Sequence, residues 1–143
     1  MGHPLLDLKN KTAVVIGGTR GIGLTLTRAL VQAGANVSPS SRRSQQVRAV
    51  VAEVEALGSR SITQTCDVID NNSLTQLLHS ARSKFGSVQI LMNCAGRTKR
   101  MPTLDFPDTE WNSIMETNLL GLYGPVAYSA GTCWNSAMAA SST

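Results

Sequence analysis

The sequence predicts an α/β fold built on a doubly wound parallel sheet, on three observations. Short apolar runs alternate with helix-period stripes over the first 120 residues. The connections are short, and a glycine closes the first three stripes (Gly34, Gly58, Gly86). A glycine-rich turn lies directly between the first run and the first stripe. Parallel strands must return through crossover helices, and those helices then cover both faces of the sheet.

Each element has a local reason. Thr12–Ile16 is a short apolar run closed by glycines, the pattern of a buried parallel strand. Ile22, Leu26, Ala29, Leu30 and Ala33 form the first helical stripe, which Gly34 ends. Asn36–Ser38 is a weak second strand, with Pro39 expected at its terminus because proline removes a ladder donor. Ser44 is the expected N-cap of a helix over 45–57. Ser61–Cys66 reads as a third strand. Asp70 or Asn71 caps a helix carrying Leu74, Leu77, Leu78, Ala81 and Phe85. Val88–Met92 reads as a fourth strand, and Asp108 or Thr109 opens a helix through Trp111, Ile114, Met115 and Leu119. Arg97–Pro107 is the longest unpatterned stretch before the tail, placed where α/β folds receive ligands.

Composition narrows the function. The chain has 143 residues, 42% hydrophobic and 15% charged, which suits one globular domain rather than a disordered chain. No apolar run reaches the ~18 residues that span a bilayer, and no secretory h-region opens the chain, so no membrane partner is expected. Cys66, Cys94 and Cys133 form no C-x-x-C pair; a metal site is not expected and a reducing cytoplasm is. Net charge is +4, but all 13 Lys and Arg fall in residues 1–100. The arginines lack interleaved aromatics, which argues against nucleic acid as the partner.

The turn Gly17-Gly18-Thr19-Arg20-Gly21-Ile22-Gly23 has the spacing G-x-x-x-G-x-G. Glycine there allows a tight turn and close approach of a pyrophosphate, and the helix that follows offers free N–H groups. No Lys-Ser/Thr follows, so it is not a Walker loop. At the end of the second strand, an acid would select the ribose 2′-hydroxyl of NAD. Ser40-Ser41-Arg42-Arg43 has none, and Arg42 with Arg20 suits a 2′-phosphate, so NADP is favoured over NAD.

Four motifs carry a resemblance: Ile16–Gly23 after the first strand, Cys66-Asp67-Val68, Asn93-Cys94-Ala95-Gly96, and Thr117-Asn118-Leu119. Their order and spacing resemble the short-chain dehydrogenase/reductases, among them bacterial sugar-acid dehydrogenases and 3-oxoacyl-carrier-protein reductases. The resemblance covers roughly residues 5–121. It implies an incomplete Rossmann-type sheet of about four strands in the order 3-2-1-4. It implies an NADP-dependent oxidoreductase acting on a small carbonyl or alcohol substrate, in a family that is usually homo-oligomeric. Gly17, Gly21 and Gly23 would hold the pyrophosphate, with Thr19, Arg20 and Ile22 of the same loop also binding cofactor. Ser41 and Arg42 would meet the 2′-phosphate. Asp67 and Val68 would meet the adenine, and Asn93, Ala95 and Gly96 would support the cofactor's ribose and the central strand. Asn118 would be the one catalytic residue of four that this sequence retains. Ile16 and Cys94 depart from the family's Thr and Asn.

The family's proton donor, a Tyr followed four residues later by Lys, has no counterpart: the last lysine is Lys99, and the tyrosines are Tyr123 and Tyr128. The family's catalytic Ser is absent with its strand. The expectation is therefore a cofactor-binding half-domain over residues 1–121, inactive alone. The alternative is a non-catalytic nucleotide-binding fragment that associates with an intact relative. From Thr117 to Thr143 no residue is charged, against ~25% in average proteins. Residues 122–143 read as a foreign tail, with Leu122–Pro125 expected to break the helix and, as its origin, a reading-frame slip near Gly121 or else a truncated or spliced product.

Overall fold

The computed structural model describes residues 7–128. The residues before Asp7 and residues 129–143, Cys133 and most of the uncharged tail among them, lie outside the described residues. The elements are β1 (Thr12–Ile16), α1 (Gly21–Gln32), β2 (Asn36–Ser40), α2 (Ser44–Ala56), α3 (Asn71–Phe85), β3 (Ile90–Asn93) and α4 (Asp108–Met115). A short 3-10 turn (Thr103–Asp105) precedes α4. A π turn (Glu116–Leu120) follows it, and residues 121–128 are again helical.

The sheet is parallel, with order β2-β1-β3. β1 is central, aligned from Thr12 opposite Asn36 to Ile16 opposite Ser40 on one side and from Ala13 opposite Ile90 to Ile16 opposite Asn93 on the other. Successive side chains of a strand point to opposite faces. Ala13 and Val15 accordingly join Leu30 and Val31 of α1 and Val50 and Val54 of α2 in one apolar cluster. Val14 and Ile16 join Leu74, Leu77 and Ala81 of α3 in another. One strand thus anchors both layers, each buried Val or Leu contributing about 1.5–3 kcal/mol. Arg28 and Glu53 pair at 2.6 Å between α1 and α2, but both side chains are exposed and the pair adds little. Asp70 caps α3 by accepting the Asn72 N–H at 2.9 Å.

Three expectations are corrected. The predicted strand Ser61–Cys66 does not form, so the described sheet has three strands where four were expected. Pro39 removes one of the donors such a strand would need. It lies inside β2, opposite Val15, not at its terminus. Asn36 N donates to Lys11 on the β1 side while Val37 N donates to Arg60 O, so odd-numbered positions of β2 face the 60–66 segment. Pro39 is odd-numbered and has no N–H to give. The segment is held at its two ends, by Val37 N to Arg60 O and by Cys66 N to Ser41 O. Between them the Ser40 hydroxyl, at 2.8 Å, donates to the Gln64 carbonyl.

The second correction is minor: Arg43 is the N-cap of α2, and Ser44 is already helical. The third concerns Leu122–Pro125, which do not break the helix. Pro125 removes the donor that the Gly121 carbonyl would otherwise receive, and the Asn93 amide reaches that carbonyl from β3 at 3.5 Å. Gly121 and Gly124 let the same helix close on Val68 and Leu74; an added Cβ would stand 2.6 Å from Val68 Cγ2 and 2.9 Å from Leu74 Cδ1.

Candidate functional site

The site forms where β1 hands the chain to α1. Gly17 N and Gly18 N both donate to the Ser40 carbonyl, at 2.8 and 3.1 Å, which fixes the loop against the end of β2. Gly17 has φ +77°, a conformation L side chains rarely adopt. A Cβ on Gly23 would stand 2.0 Å from the Gly17 carbonyl, so the strand-to-helix turn closes only around glycine. α1 then begins with Arg20 as an extended N-cap that makes no side-chain cap bond, and with no acid in its first turn. The first N–H groups of a helix lack intrahelical partners, and the macrodipole makes that end an anion receptor.

Around this turn is an open cleft of about 380 Å³. From the loop it takes Gly17, Thr19, Arg20, Gly21, Ile22 and Gly23. From the end of β2 and the start of α2 it takes Ser41, Arg42, Arg43 and Gln46. Asp67 and Val68 close one side, and Ala95, Gly96 and Thr117 close another. Three arginines and one carboxylate line it, so its field favours an anion. The Ser41 hydroxyl oxygen is buried in this lining with no hydrogen-bond partner among the described residues. A bound phosphate oxygen would satisfy it, and the donor set as a whole fits a phosphorylated nucleotide. Among the described residues no group of three or more His, Cys, Asp or Glu could hold a metal ion.

Asp67 has a turn role besides its place in the lining. Its carboxylate accepts the Ile69 N–H at 3.3 Å, and its own N–H donates to the Ser73 hydroxyl at 2.9 Å. Beside it Cys66 is buried, and desolvation pushes its thiol up to about 11. Cys94, part-buried at the end of β3, is shifted up by the same cause. Both thiols stay protonated at neutral pH and act as small apolar fillers.

Every residue that the sequence assigns to the cofactor lines this cleft except Asn93, which turns away to the Gly121 carbonyl and leaves its buried Oδ1 without a partner among the described residues. Asn118 also stands outside the lining. Its side chain clamps the backbone of Arg97, accepting the Arg97 N–H at 2.8 Å and donating to the Arg97 carbonyl at 2.9 Å. The Arg97 guanidinium in turn bonds Glu110 at 2.8 Å and the Ser113 hydroxyl, which ties the loop after β3 to α4. Gln46 and Thr117 are lining residues that the sequence reading missed. Gln46 meets the Thr19 hydroxyl at 3.5 Å. Gln46 falls in the first turn of α2 whether the helix starts at Ser44 or at Gln45, but no local pattern marks it as facing the loop; Thr117 is the neighbour of Asn118 in the fourth motif.

Comparison with known proteins gives consistent matches. Residues 11–130 match the family described as short chain dehydrogenase. A gluconate 5-dehydrogenase of Gluconobacter oxydans is 32% identical over 124 residues, 86% of this chain and 48% of that protein. A 3-oxoacyl-[acyl-carrier-protein] reductase of Staphylococcus epidermidis is 34% identical over 115 residues, 80% of this chain and 47% of that one. Among solved structures, a hydroxysteroid dehydrogenase of Escherichia coli superposes with TM-score 0.83 at 30% identity, over 89% of this chain and 54% of that chain. Actinorhodin polyketide ketoreductase, solved with NADPH, gives 0.77 at 31% identity, over 82% and 45%. The chain spans about half the length of the curated relatives it matches.

Proposed function

The chain belongs to the short-chain dehydrogenase family, and on that premise we propose that its cleft binds NADP(H), as the cofactor-holding half of a carbonyl/alcohol oxidoreductase of the cytoplasm. One observation carries the reading: an uncapped helix N-terminus, a glycine turn and three arginines meet in one cleft whose β2 end bears no acid. The ketoreductase solved with NADPH supports the choice of cofactor class.

The chain's own residues divide the work of binding. The loop N–H groups and the start of α1 hold the pyrophosphate. Arg20, Ser41 and Arg42 receive the 2′-phosphate, guanidinium groups being suited to bidentate phosphate contacts. Asp67 and the Val68 backbone meet the adenine. When bound, the nicotinamide supplies a hydride. The alkoxide that follows needs a positioned proton donor, and these 143 residues hold no Tyr-x-x-x-Lys. Asn118 fixes the loop at Arg97, and its amide is no acid that could protonate an alkoxide. A polypeptide of this sequence is therefore expected to bind cofactor without turnover.

Fluorescence titration with NADPH, using NADH as control, tests the reading. NADPH binds more tightly, and Arg42→Ala weakens NADPH by about tenfold or more while leaving NADH little changed, since a charged hydrogen bond contributes about 1.5–3 kcal/mol. Equal affinity for the two cofactors in the unmodified chain sinks the NADP preference, and substrate-dependent NADPH oxidation overturns the claim of inactivity.

A further inference from the structure

The residue before the glycine turn is Ile16, 2% exposed and packed in the apolar cluster with Val68 and Leu74. It offers the loop no hydrogen bond. The hydroxyl that reaches the loop comes instead from the helix behind it. Thr27 is fully buried in the second turn of α1, with Oγ1 2.9 Å from the Gly23 carbonyl and 3.1 Å from the Gly18 carbonyl. The first contact is the ordinary i−4 bond of a helical threonine. The hydroxyl's one proton is shared between the two carbonyls, and the second contact is not local: it joins α1 to the loop nine residues earlier. Gly18 leaves room for it, since a Cβ there would stand 2.9 Å from the same Oγ1.

Fixing that carbonyl has a consequence on the other side of the peptide. No cis bond interrupts the described chain, and in a trans peptide the N–H points opposite to the C=O. A Gly18 carbonyl drawn inward to Thr27 turns the Thr19 N–H outward, and Thr19 lines the cleft. We propose that Thr27 is a positioning residue: its hydroxyl holds the Gly18 carbonyl inward and so aims the Thr19 N–H at the pyrophosphate of the dinucleotide. The inference rests on the nucleotide reading above and adds to it the residue that sets the loop.

The test compares the full chain with Thr27→Val, which removes the hydroxyl at nearly constant volume, and Thr27→Ser, which keeps it. NADPH affinity falls about tenfold in T27V and stays within about threefold of the parent in T27S, while competition by adenosine 2′-monophosphate, which has no pyrophosphate, is unchanged in both. Inorganic pyrophosphate is the second probe: it shifts the Thr19 amide resonance in the parent and in T27S but not in T27V. Thermal melts accompany each variant, and Thr27→Ala replaces T27V if the valine does not fold. Undiminished NADPH and pyrophosphate binding in T27V overturns the inference. So does an equal loss of NADPH and adenosine 2′-monophosphate in T27V and T27S, which marks a general structural role. A parent chain that binds neither NADPH nor NADH but still shows the T27V-sensitive pyrophosphate shift overturns the nucleotide reading and leaves the loop assignment standing.

Discussion

Cys66 shows how one buried group makes stability depend on pH. Its thiol is enclosed with Ile16, Val68 and Leu74, and burial moves it from an ordinary 9.0 to about 11, against the smaller opposing effect of the Ser73 hydroxyl. Between those values the folded chain keeps a proton that the unfolded chain gives up. The stabilisation is complete below pH 9 and is lost as pH rises toward 11, amounting to about 2–3 kcal/mol at most. Urea unfolding at a series of alkaline pH values is expected to show this decline in the parent and a shallower one in Cys66→Ala. The native thiol is also expected to resist iodoacetamide at pH 8 while the unfolded chain is modified; prompt labelling of the Cys66 peptide in the native protein counts against both statements. At this scale much of the site was legible. The turn glycines Gly17, Gly21 and Gly23, Arg42 and Asp67, marked by their own chemistry and spacing, all line the one cleft. Asn118 was less so. Its place in a motif marked it, but its partner, the Arg97 backbone, lies 21 residues away and no local pattern names it.

Pro39 shows the same limit for whole elements. Strands β1 and β2 and helices α1 to α3 followed from periodicity, because each stripe or run is a property of contiguous residues. The fate of 61–66 did not, although its apolar pattern is sound. One donor that it lacks is on another strand, and that lack depends on which side of β2 an odd-numbered residue faces. Replacing Pro39 with Ala supplies that donor. The expected result is a slowly exchanging amide at position 39 and added protection for 61–66 in hydrogen exchange, with stability changed by less than about 1 kcal/mol because unfolded-state entropy rises as the ladder improves. A rapidly exchanging amide at 39 would show that the segment is not poised to pair. The Gly-Pro step at 124–125 misled the sequence reading for a related reason: the carbonyl that proline leaves free is answered from β3, far along the chain.

For the molecule as a whole, the decisive feature is the outer side of β3. β1 is enclosed by neighbours on both edges, but among the described residues no strand pairs with the far edge of β3. All four of its residues are only half-buried, and Trp111, Leu119, Leu122 and Val126 are exposed on the following helical stretch. An unpaired apolar edge is a template for association. Light scattering of the purified chain is expected to show mass rising with concentration, and a monodisperse monomer at high concentration with a cooperative melt would contradict it. The helical stretch itself has a property of another kind. A π turn encloses one residue more than an α turn, so 116–120 carries one residue of slack; Asn118, fixed on Arg97, sits in its middle, and Gly121 with Gly124, fixed on Val68 and Leu74, follow it. Loss of the exposed Leu119 or Leu120 would tighten that turn to an ordinary α turn with both attachments still in phase. Elsewhere in α1, α2 or α3 the loss of one residue turns all that follows by about 100°. The helix that borders the cleft is thus also the element best able to absorb a change in length.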